Sequence, residues 1–435
     1  MENNYSFSKI IQFFQKFKAI DFLLVLIFIS FPLKNIFISI ATILFVSWSF
    51  FFGKKEKNVE KIYYLPIVFF VLMIISLSWS CNFNSTLFGV KKQLSFLFIP
   101  LAFFLIPKRK KEELQIIFRT YSFGMVVCAL FCFGKAFMSY SRTNDINYFF
   151  YKNLVPSDPG AIYMSVFASF ALFYFIQIKN KCNLEKVGLT ILIIFTFLLS
   201  SKSIITIDFI IIICYYTFFV TIPSGTKAIT IISVSVFLIF SVLFVKKVRE
   251  RFLIEYETAF IDNTLNYDLT KDNQTVYNVS VSEAWNNKDF HQNSYLPGTA
   301  LRIYQLRVFL EILSEQKMFF SGFGLEASQD FIRAKAKEHN LLPLYGEYNF
   351  HNQYLQTFSD IGVLGILLIM SMLYINFRNA LHRKNFMHLA FAITTIVLFL
   401  SESFFYRQRG IVFFILLYCL FNSASNEELE EIKSI

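Results

Sequence analysis

The sequence contains five histidines, and His351 is the one whose surroundings best suit chemistry. It lies in YNFHNQYLQTFSDIGVLG, where a polar stretch gives way to an apolar run. Leu355, Phe358 and Gly362 follow on its helical face, so we expect His351 to point from a helix entrance toward neighbouring helices. Histidine exchanges protons near neutral pH and suits a general base, although capping a helix is the simpler role. We expect the other histidines to be solvated: His291, His339, His382 and His388.

Two arginines lie on one predicted helix over residues 299–317. We expect Thr299 to cap this helix after a Pro-Gly turn, which puts Arg302 in the first turn. The helix dipole disfavours a cation there, and no acid follows Arg302 at helical spacing. An unpaired arginine beside free backbone N–H groups is a good receptor for an anion such as phosphate. Arg307 has Glu311 four residues further on, so we expect an ion pair there.

Three more charged residues are candidates for supporting a site. Lys202, in LLSSKSIIT, is either a lysine at an apolar boundary or part of a polar pocket. Asp208 lies about 9 Å further along the same predicted helix, and an acid within an apolar run needs a partner and is a functional candidate. Glu402 is close in sequence to Arg407 and Arg409, and a structural salt-bridge cluster explains these three as well as a ligand site does.

The elements that must position these side chains are mostly apolar. Of the 435 residues, 55% are hydrophobic and only 16% are charged, and phenylalanine alone occurs 58 times. Soluble domains have about 25% charged residues, and one of this size could not bury so many apolar side chains. The composition therefore predicts a polytopic membrane protein. The net charge of +11 then fits the positive-inside bias of membrane loops better than binding of nucleic acid.

Segments long enough to cross a bilayer, which takes about 20 apolar residues, recur along the chain. The predicted fold is all-α, a polytopic membrane helix bundle of about 12 transmembrane helices. The predicted spans are 19–33, 35–52, 62–80, 88–106, 113–138, 160–178, 184–200, 203–222, 227–245, 353–377, 386–402 and 409–423.

One long segment, 246–351, contains no predicted span. Lys and Arg are more frequent in the short loops on the side of the amino terminus, so we expect both termini in the cytoplasm and this segment outside. The predicted organisation is a nine-span region (1–245), an external loop domain (246–351) and a three-span region with a cytoplasmic tail (352–435). Its polar run 262–294 is expected at the surface.

Several common signatures are absent from the sequence. There is no Walker motif, HExxH, GxSxG or CxxC pair. We therefore predict neither a cofactor nor a metal site, and no ATP hydrolysis or zinc chemistry.

The order of the remaining motifs resembles the O-antigen ligase and O-antigen polymerase superfamily. The arginine helix is followed by GFG at 322–324, then by His351-Asn352-Gln353-Tyr354-Leu355 and IGVLG, and ESFFYRQRGIVFF lies near the carboxyl end. The resemblance covers mainly residues 195–423. It implies a membrane-embedded glycosyltransferase fold. It also implies inverting, metal-independent transfer of a glycan from undecaprenyl diphosphate at the periplasmic face of the cell inner membrane.

The resemblance also assigns roles to individual residues. His351 matches the essential histidine of the ligases, Arg302 the arginine of the external loop, and Glu402 an acidic position of the last block. Lys202 stands where the pattern has a serine followed by arginine, which keeps the charge but removes the bidentate geometry. Arg302 and Lys202 would hold the diphosphate, while His351 would accept the proton of the acceptor. Two further residues are possible supporting groups: Arg307 and Asp208.

The acceptor separates two readings within the superfamily. A ligase would use lipid A–core, and a polymerase of O-antigen or exopolysaccharide would use another undecaprenyl-linked repeat unit. The histidine at the predicted start of the helix, in His351-Asn352-Gln353-Tyr354-Leu355, favours the ligase. The expected partners are the lipid-linked donor, one of these acceptors and membrane lipids. A transporter of lipid-linked glycan or small solutes is the alternative from another class and would show two related halves with midplane charges. A non-catalytic membrane scaffold is a third.

Overall fold

The computed structural model describes residues 18–54, 60–199, 201–220, 246–266, 275–316 and 318–423, and also residues 223, 225, 232 and 269. Apart from Ile232, the predicted ninth span, 227–245, lies outside the described residues. Every other predicted span coincides with a helix.

The membrane part consists of helices joined by short turns. The helices before residue 220 are α1 (Ala19–Ser30), α2 (Asn35–Phe52), α3 (Tyr64–Ile75), α4 (Phe83–Lys92), α5 (Ser95–Leu105), α6 (Lys111–Thr143), α7 (Tyr151–Leu154), α8 (Ala161–Gln177), α9 (Asn183–Leu199) and α10 (Lys202–Cys214). The later helices are α11 (Lys246–Phe260), α12 (Val281–Asn286), α13 (Gly298–Gln316), α14 (Gln329–Glu338), α15 (Gln353–His382), α16 (Phe386–Leu398) and α17 (Gln408–Asn422).

Length and composition agree with a membrane location. Six helical segments among the described residues are long and apolar enough to cross a bilayer: Asn35–Phe52, Lys61–Ser78, Phe83–Leu105, Lys111–Thr143, Lys202–Phe219 and Gln353–His382. Four shorter apolar helices accompany them, namely α1, α8, α16 and α17. The predicted class, an all-α polytopic membrane bundle, is confirmed.

Two of the shorter helices form the centre of the bundle. Almost every residue of α8 and α17 is buried, and a helix that is apolar all round belongs in a core. Phe167 of α8 stacks on Phe31 at a ring distance of 5.1 Å and lies 5.4 Å from Phe413 of α17. Many of the phenylalanines therefore fill the interior and do not only face lipid.

The ends of the helices group as an alternating topology requires. On one side, the buried Arg409 pairs with Asp158, and the Trp79 indole donates a hydrogen bond to the Ser321 carbonyl at 2.9 Å. These contacts join turns that were all predicted to be external. On the opposite side, Arg109 of a predicted cytoplasmic loop pairs at 2.8 Å with Asp21, near the start of the first predicted span.

The segment 246–351 has a hydrophobic core of its own. α13 lies at its centre, with Tyr304 and Val308 fully buried among residues of α12, α14 and the following turn. The predicted helical stretch is thus confirmed, although it begins at Gly298. The polar run contributes three two-residue strands, in which β1 (Thr264–Leu265) pairs antiparallel with β2 (Tyr277–Asn278), and β2 pairs parallel with β3 (Ser294–Tyr295).

A break in α15 attaches this segment to the bundle. Ile361 and Gly362 leave helical geometry, and the Ser359 carbonyl accepts a hydrogen bond from the Phe323 N–H at 2.8 Å. Gly362 has φ +65, and a Cβ atom there would lie 2.1 Å from the Phe320 carbonyl oxygen. Gly322 has φ +67, and a Cβ atom there would lie 2.6 Å from the carbonyl carbon of Asp360. The GFG and IGVLG motifs are therefore the two halves of one backbone contact.

Candidate functional site at the entrance of helix α15

His351 stands at the start of α15 in an uncommon backbone conformation. Its φ of +47 lies in the left-handed region, which is uncommon for residues other than glycine. Two asparagines stabilise this turn. The Asn349 side chain accepts the His351 N–H at 2.9 Å, and the Asn352 side chain caps the helix by accepting the N–H groups of Tyr354 and Leu355. Backbone strain of this kind concentrates at functional sites.

The residues after His351 bind the turn between α16 and α17. The Asn352 N–H donates to the Ser403 hydroxyl at 3.2 Å, and the Gln353 N–H donates to the Phe399 carbonyl at 2.8 Å. This attachment brings Glu402 next to the imidazole, with His351 Nδ1 4.0 Å from Glu402 Oε2. The Nε2 atom of His351 has no hydrogen-bond partner among the described residues.

Arg302 is joined to the same turn from the other side. Its Nη2 lies 3.2 Å from Glu402 Oε1, its Nε donates to the Ser401 carbonyl at 3.0 Å, and its Nη1 donates to the Gly298 carbonyl at 2.9 Å. The expectation that Arg302 has no carboxylate partner is therefore wrong, because the partner comes from the α16–α17 turn and not from its own helix.

Lys202 contacts an acid that sequence reasoning missed. Its Nζ lies 2.9 Å from Glu255 Oε2 on α11, and the other oxygen of Glu255 accepts the Thr299 N–H at 2.9 Å and the Thr299 hydroxyl. The prediction that Thr299 caps this helix is wrong, because the helix begins at Gly298 and the Thr299 side chain binds Glu255 of α11. No spacing in the sequence relates Glu255 to either partner.

The charge of Glu255 is set by these contacts. Burial by itself would raise the pKa of this carboxyl group, but the hydrogen bonds from Lys202 and Thr299 hold the pKa below its ordinary value. Glu255 and the Arg302 guanidinium both approach Gly298, since a Cβ atom on that residue would lie 3.3 Å from Arg302 Nη1 and 3.7 Å from Glu255 Oε1. Two cations and two carboxylates thus meet beside His351.

Two predicted supporting residues lie apart from this group. Asp208 accepts a hydrogen bond from the Ser169 hydroxyl at 2.6 Å, within the bundle, and no contact between described residues joins it to His351. Arg307 pairs with Glu311 at 2.7 Å, as predicted, and donates to the Asn287 carbonyl at 2.5 Å.

The suggested cluster of Glu402 with Arg407 and Arg409 is wrong. Glu402 pairs with Arg302, while Arg409 pairs with Asp158 and the side chain of Arg407 is exposed.

Two histidines expected at the surface are buried. His339 is 5% exposed and its Nδ1 lies 3.0 Å from the Tyr304 hydroxyl. His388 is 1% exposed, stacks on Phe421 and lies 2.7 Å from the side-chain oxygen of Asn376. Apolar residues that are not their immediate neighbours in sequence enclose both histidines. The polar residues next to each histidine in the sequence therefore gave a wrong prediction of exposure.

The arrangement has the parts of an acid–base site for an anionic ligand. A carboxylate beside Nδ1 favours the proton on that nitrogen and leaves Nε2 able to accept one. Lys202, Arg302 and the amino-terminal end of a 19-residue helix supply positive potential. This polar group lies at the amino-terminal end of α15, one of the helices that are long and apolar enough to cross a bilayer.

Comparison with known families agrees with this class. Residues 187–370 match a family model described as O-antigen ligase. The match confirms, for this part of the chain, the resemblance to the O-antigen ligase superfamily. Lys202, Arg302 and His351 lie inside the matched range, whereas Glu402 lies beyond it and joins the site by geometry. A search of curated proteins finds no significant match.

Proposed function

We propose that the protein is an O-antigen ligase-like glycosyltransferase that moves a glycan from undecaprenyl diphosphate to a hydroxyl group of lipid A–core. The observation that carries the proposal is the meeting of His351, Arg302 and Glu402, which come from three separate segments of the chain. Such convergence of a base, a cation and an acid at the rim of a membrane bundle suits a lipid substrate whose reactive group lies at the level of the lipid headgroups.

The cations would act on the leaving group. When the acceptor attacks the anomeric carbon, the bond to the diphosphate breaks and negative charge grows on its bridging oxygen. Arg302 and Lys202 would stabilise that charge, and preorganised groups of this kind are often the largest single contribution to catalysis. A single displacement inverts the anomeric carbon.

His351 would act on the nucleophile. An acceptor hydroxyl is a poor nucleophile until its proton can leave, and Nε2 would take that proton. Glu402 would orient the ring through Nδ1 and stabilise the imidazolium that forms. Because the nitrogen and carboxylate are 4.0 Å apart, we expect this contact to tighten when substrate binds.

The orientation is part of the proposal. We place residues 246–351 in the periplasm and both termini in the cytoplasm, because Lys and Arg are concentrated in the short loops on the opposite side. A reporter fused near Asn286, at the end of α12, should behave as external. Cytoplasmic behaviour there would overturn the site of reaction together with the orientation.

The acceptor is tested in a deletion strain. If the protein is a ligase, long lipid-linked chains accumulate and attachment to lipid A–core is lost. If it is a polymerase that joins undecaprenyl-linked repeat units, single repeat units accumulate instead. Lipid-linked glycans of unchanged structure that accumulate on the inner leaflet, with loss of their delivery to the outer leaflet, would mean transport and would contradict the proposal.

A further inference from the structure

The anion-binding groups of the site already hold an anion, and it belongs to the protein. Glu255 contacts the Lys202 ammonium at 2.9 Å, the Thr299 backbone N–H at 2.9 Å and the Thr299 hydroxyl. An ammonium group, a backbone N–H near a helix N-terminus and a hydroxyl group are the donors that proteins use for phosphate. The Arg302 guanidinium and this carboxylate both approach Gly298, within 4 Å of where a Cβ atom would lie on that residue.

Among the described residues, each of the two cations of the site has a carboxylate partner. Lys202 is paired with Glu255 and Arg302 is paired with Glu402, so two cations face two carboxylates. A lipid diphosphate would bring about two further negative charges to a site whose cations are already neutralised. Repulsion between like charges would oppose binding unless one carboxylate leaves.

Glu255 is the carboxylate better placed to leave. Its side chain is 29% exposed, against 15% for Glu402, so rotation can carry its charge into water. Glu402 is held between Arg302 and His351, in a turn that is hydrogen-bonded to the start of α15. Because the pKa of Glu255 is held low, protonation does not release it near neutral pH, and another anion must compete with it.

We propose that the Glu255 carboxylate occupies the position of one phosphate of the donor, and that the diphosphate displaces it. The incoming phosphate then takes over the contacts with Lys202 and with the N–H and hydroxyl groups of Thr299, which becomes a phosphate ligand. This inference rests on the proposed function, and it makes α11 an inhibitory element that keeps the site closed to weakly bound anions.

The test measures binding of inorganic pyrophosphate to the purified full-length protein in detergent. Glu255→Gln keeps the size of the side chain and removes its charge, so the variant should bind pyrophosphate about tenfold more tightly than the parent protein, about 1.4 kcal/mol. Glu257→Gln, on the exposed face of the same helix, is the matched control and should bind like the parent.

The outcomes separate the two proposals. Equal or weaker binding by Glu255→Gln, with loss of binding in Arg302→Ala, would mean that Glu255 only positions Lys202; the inference would then fail while the diphosphate site stands. If Arg302→Ala and Lys202→Ala both bind pyrophosphate as the parent does, the proposed function itself fails.

A second variant guards against misfolding of the first. Glu255→Asp keeps the charge but shortens the side chain, so it cannot reach Lys202 and Thr299 together. The inference predicts an affinity between those of the parent and Glu255→Gln. An affinity for pyrophosphate below that of the parent would contradict it.

Discussion

Helix α13 carries two arginines that belong to two similar groups of side chains with different surroundings. The Arg302 cluster contains Glu402 and His351, and the Arg307 cluster contains Glu311 and His339. Each combines an arginine, a glutamate and a histidine. One lies between the loop segment and the membrane bundle, whereas the other lies within the core of the loop segment.

The two histidines differ in the partners of their ring nitrogens. His339 contacts the Tyr304 hydroxyl through Nδ1 and Glu311 through Nε2, at 3.0 and 3.3 Å, so both nitrogens have partners. His351 has a distant carboxylate at Nδ1, no partner at Nε2 among the described residues, and a left-handed backbone. The same residue types therefore build a closed structural group in one place and an open group, able to accept a proton, in the other.

The largest expected effect comes from replacing the two histidines. His351→Ala, or His351→Asn, which tolerates the left-handed backbone, should lower transfer about 10²- to 10⁴-fold because the general base is lost. His339→Ala should leave the rate per folded molecule near that of the parent and reduce stability by about 1–3 kcal/mol, since the buried Tyr304 hydroxyl loses its partner. Transfer assays with purified protein and thermal unfolding measure both.

The exposed His291 supplies the control, and His291→Ala should change neither quantity. If His351→Ala kept more than about a tenth of parental transfer, less than the smallest effect expected for a lost base, His351 would be a structural cap. Both histidine clusters would then be structural.

The two arginines should differ next. Arg302→Ala should lower transfer about 10- to 150-fold, the value of a charge-assisted contact of about 1.5–3 kcal/mol felt in the transition state. Arg307→Ala should mainly lower the melting temperature, because the carbonyl of Asn287 and the carboxylate of Glu311 lose their donor. Equal and mild losses of transfer in both variants would count against a phosphate contact at Arg302.

Glu402 connects the arginine and the histidine, and its replacement should have a smaller effect. Glu402→Gln should lower transfer about tenfold by loosening the orientation of both partners. A double-mutant cycle distinguishes positioning from a general loss of structure. In a His351→Ala background the second change should cost little more, whereas additive losses would mean that Glu402 acts independently of His351.

The smallest effect concerns acid pH and the Arg307 cluster. Burial lowers the pKa of His339 below its ordinary value of 6.5, although Glu311 partly opposes this. The unfolded chain then binds a proton more readily than the folded one, so stability is full above about pH 6.5 and declines as the pH falls below it. Thermal unfolding between pH 7.5 and 5.5 should show this decline, and His339→Gln should reduce it; an unchanged pH dependence in that variant would assign the effect to another group.

Local patterns predicted much of the fold. Apolar runs identified the spans, because a bilayer selects each helix by length and composition alone. The pair Arg307–Glu311 was predictable since its members are four residues apart on one helix. His351 was recognisable from its position between a polar segment and an apolar one.

The partners of the site residues could not be predicted in the same way. Arg302 and Glu402 are 100 residues apart, and Lys202 and Glu255 are 53 apart. Pairs of this kind depend on how the helices pack, which no local period encodes. For the same reason, the GFG and IGVLG motifs could be recognised in the sequence, but the backbone contact between them could not be predicted.

The contact between α15 and the loop segment has a consequence for biogenesis. Phe358 of α15 packs against Phe309 and Phe319 at ring distances of 5.6 and 5.1 Å, so it helps to complete the core of the loop segment. Synthesis runs from the amino terminus, and residues 246–351 therefore leave the ribosome before Phe358 does. The hydrophobic core of the loop segment therefore stays incomplete until α15 is in place. Insertion of this one helix then finishes the loop segment and places His351 in the same step, so an unfinished chain carries no assembled site.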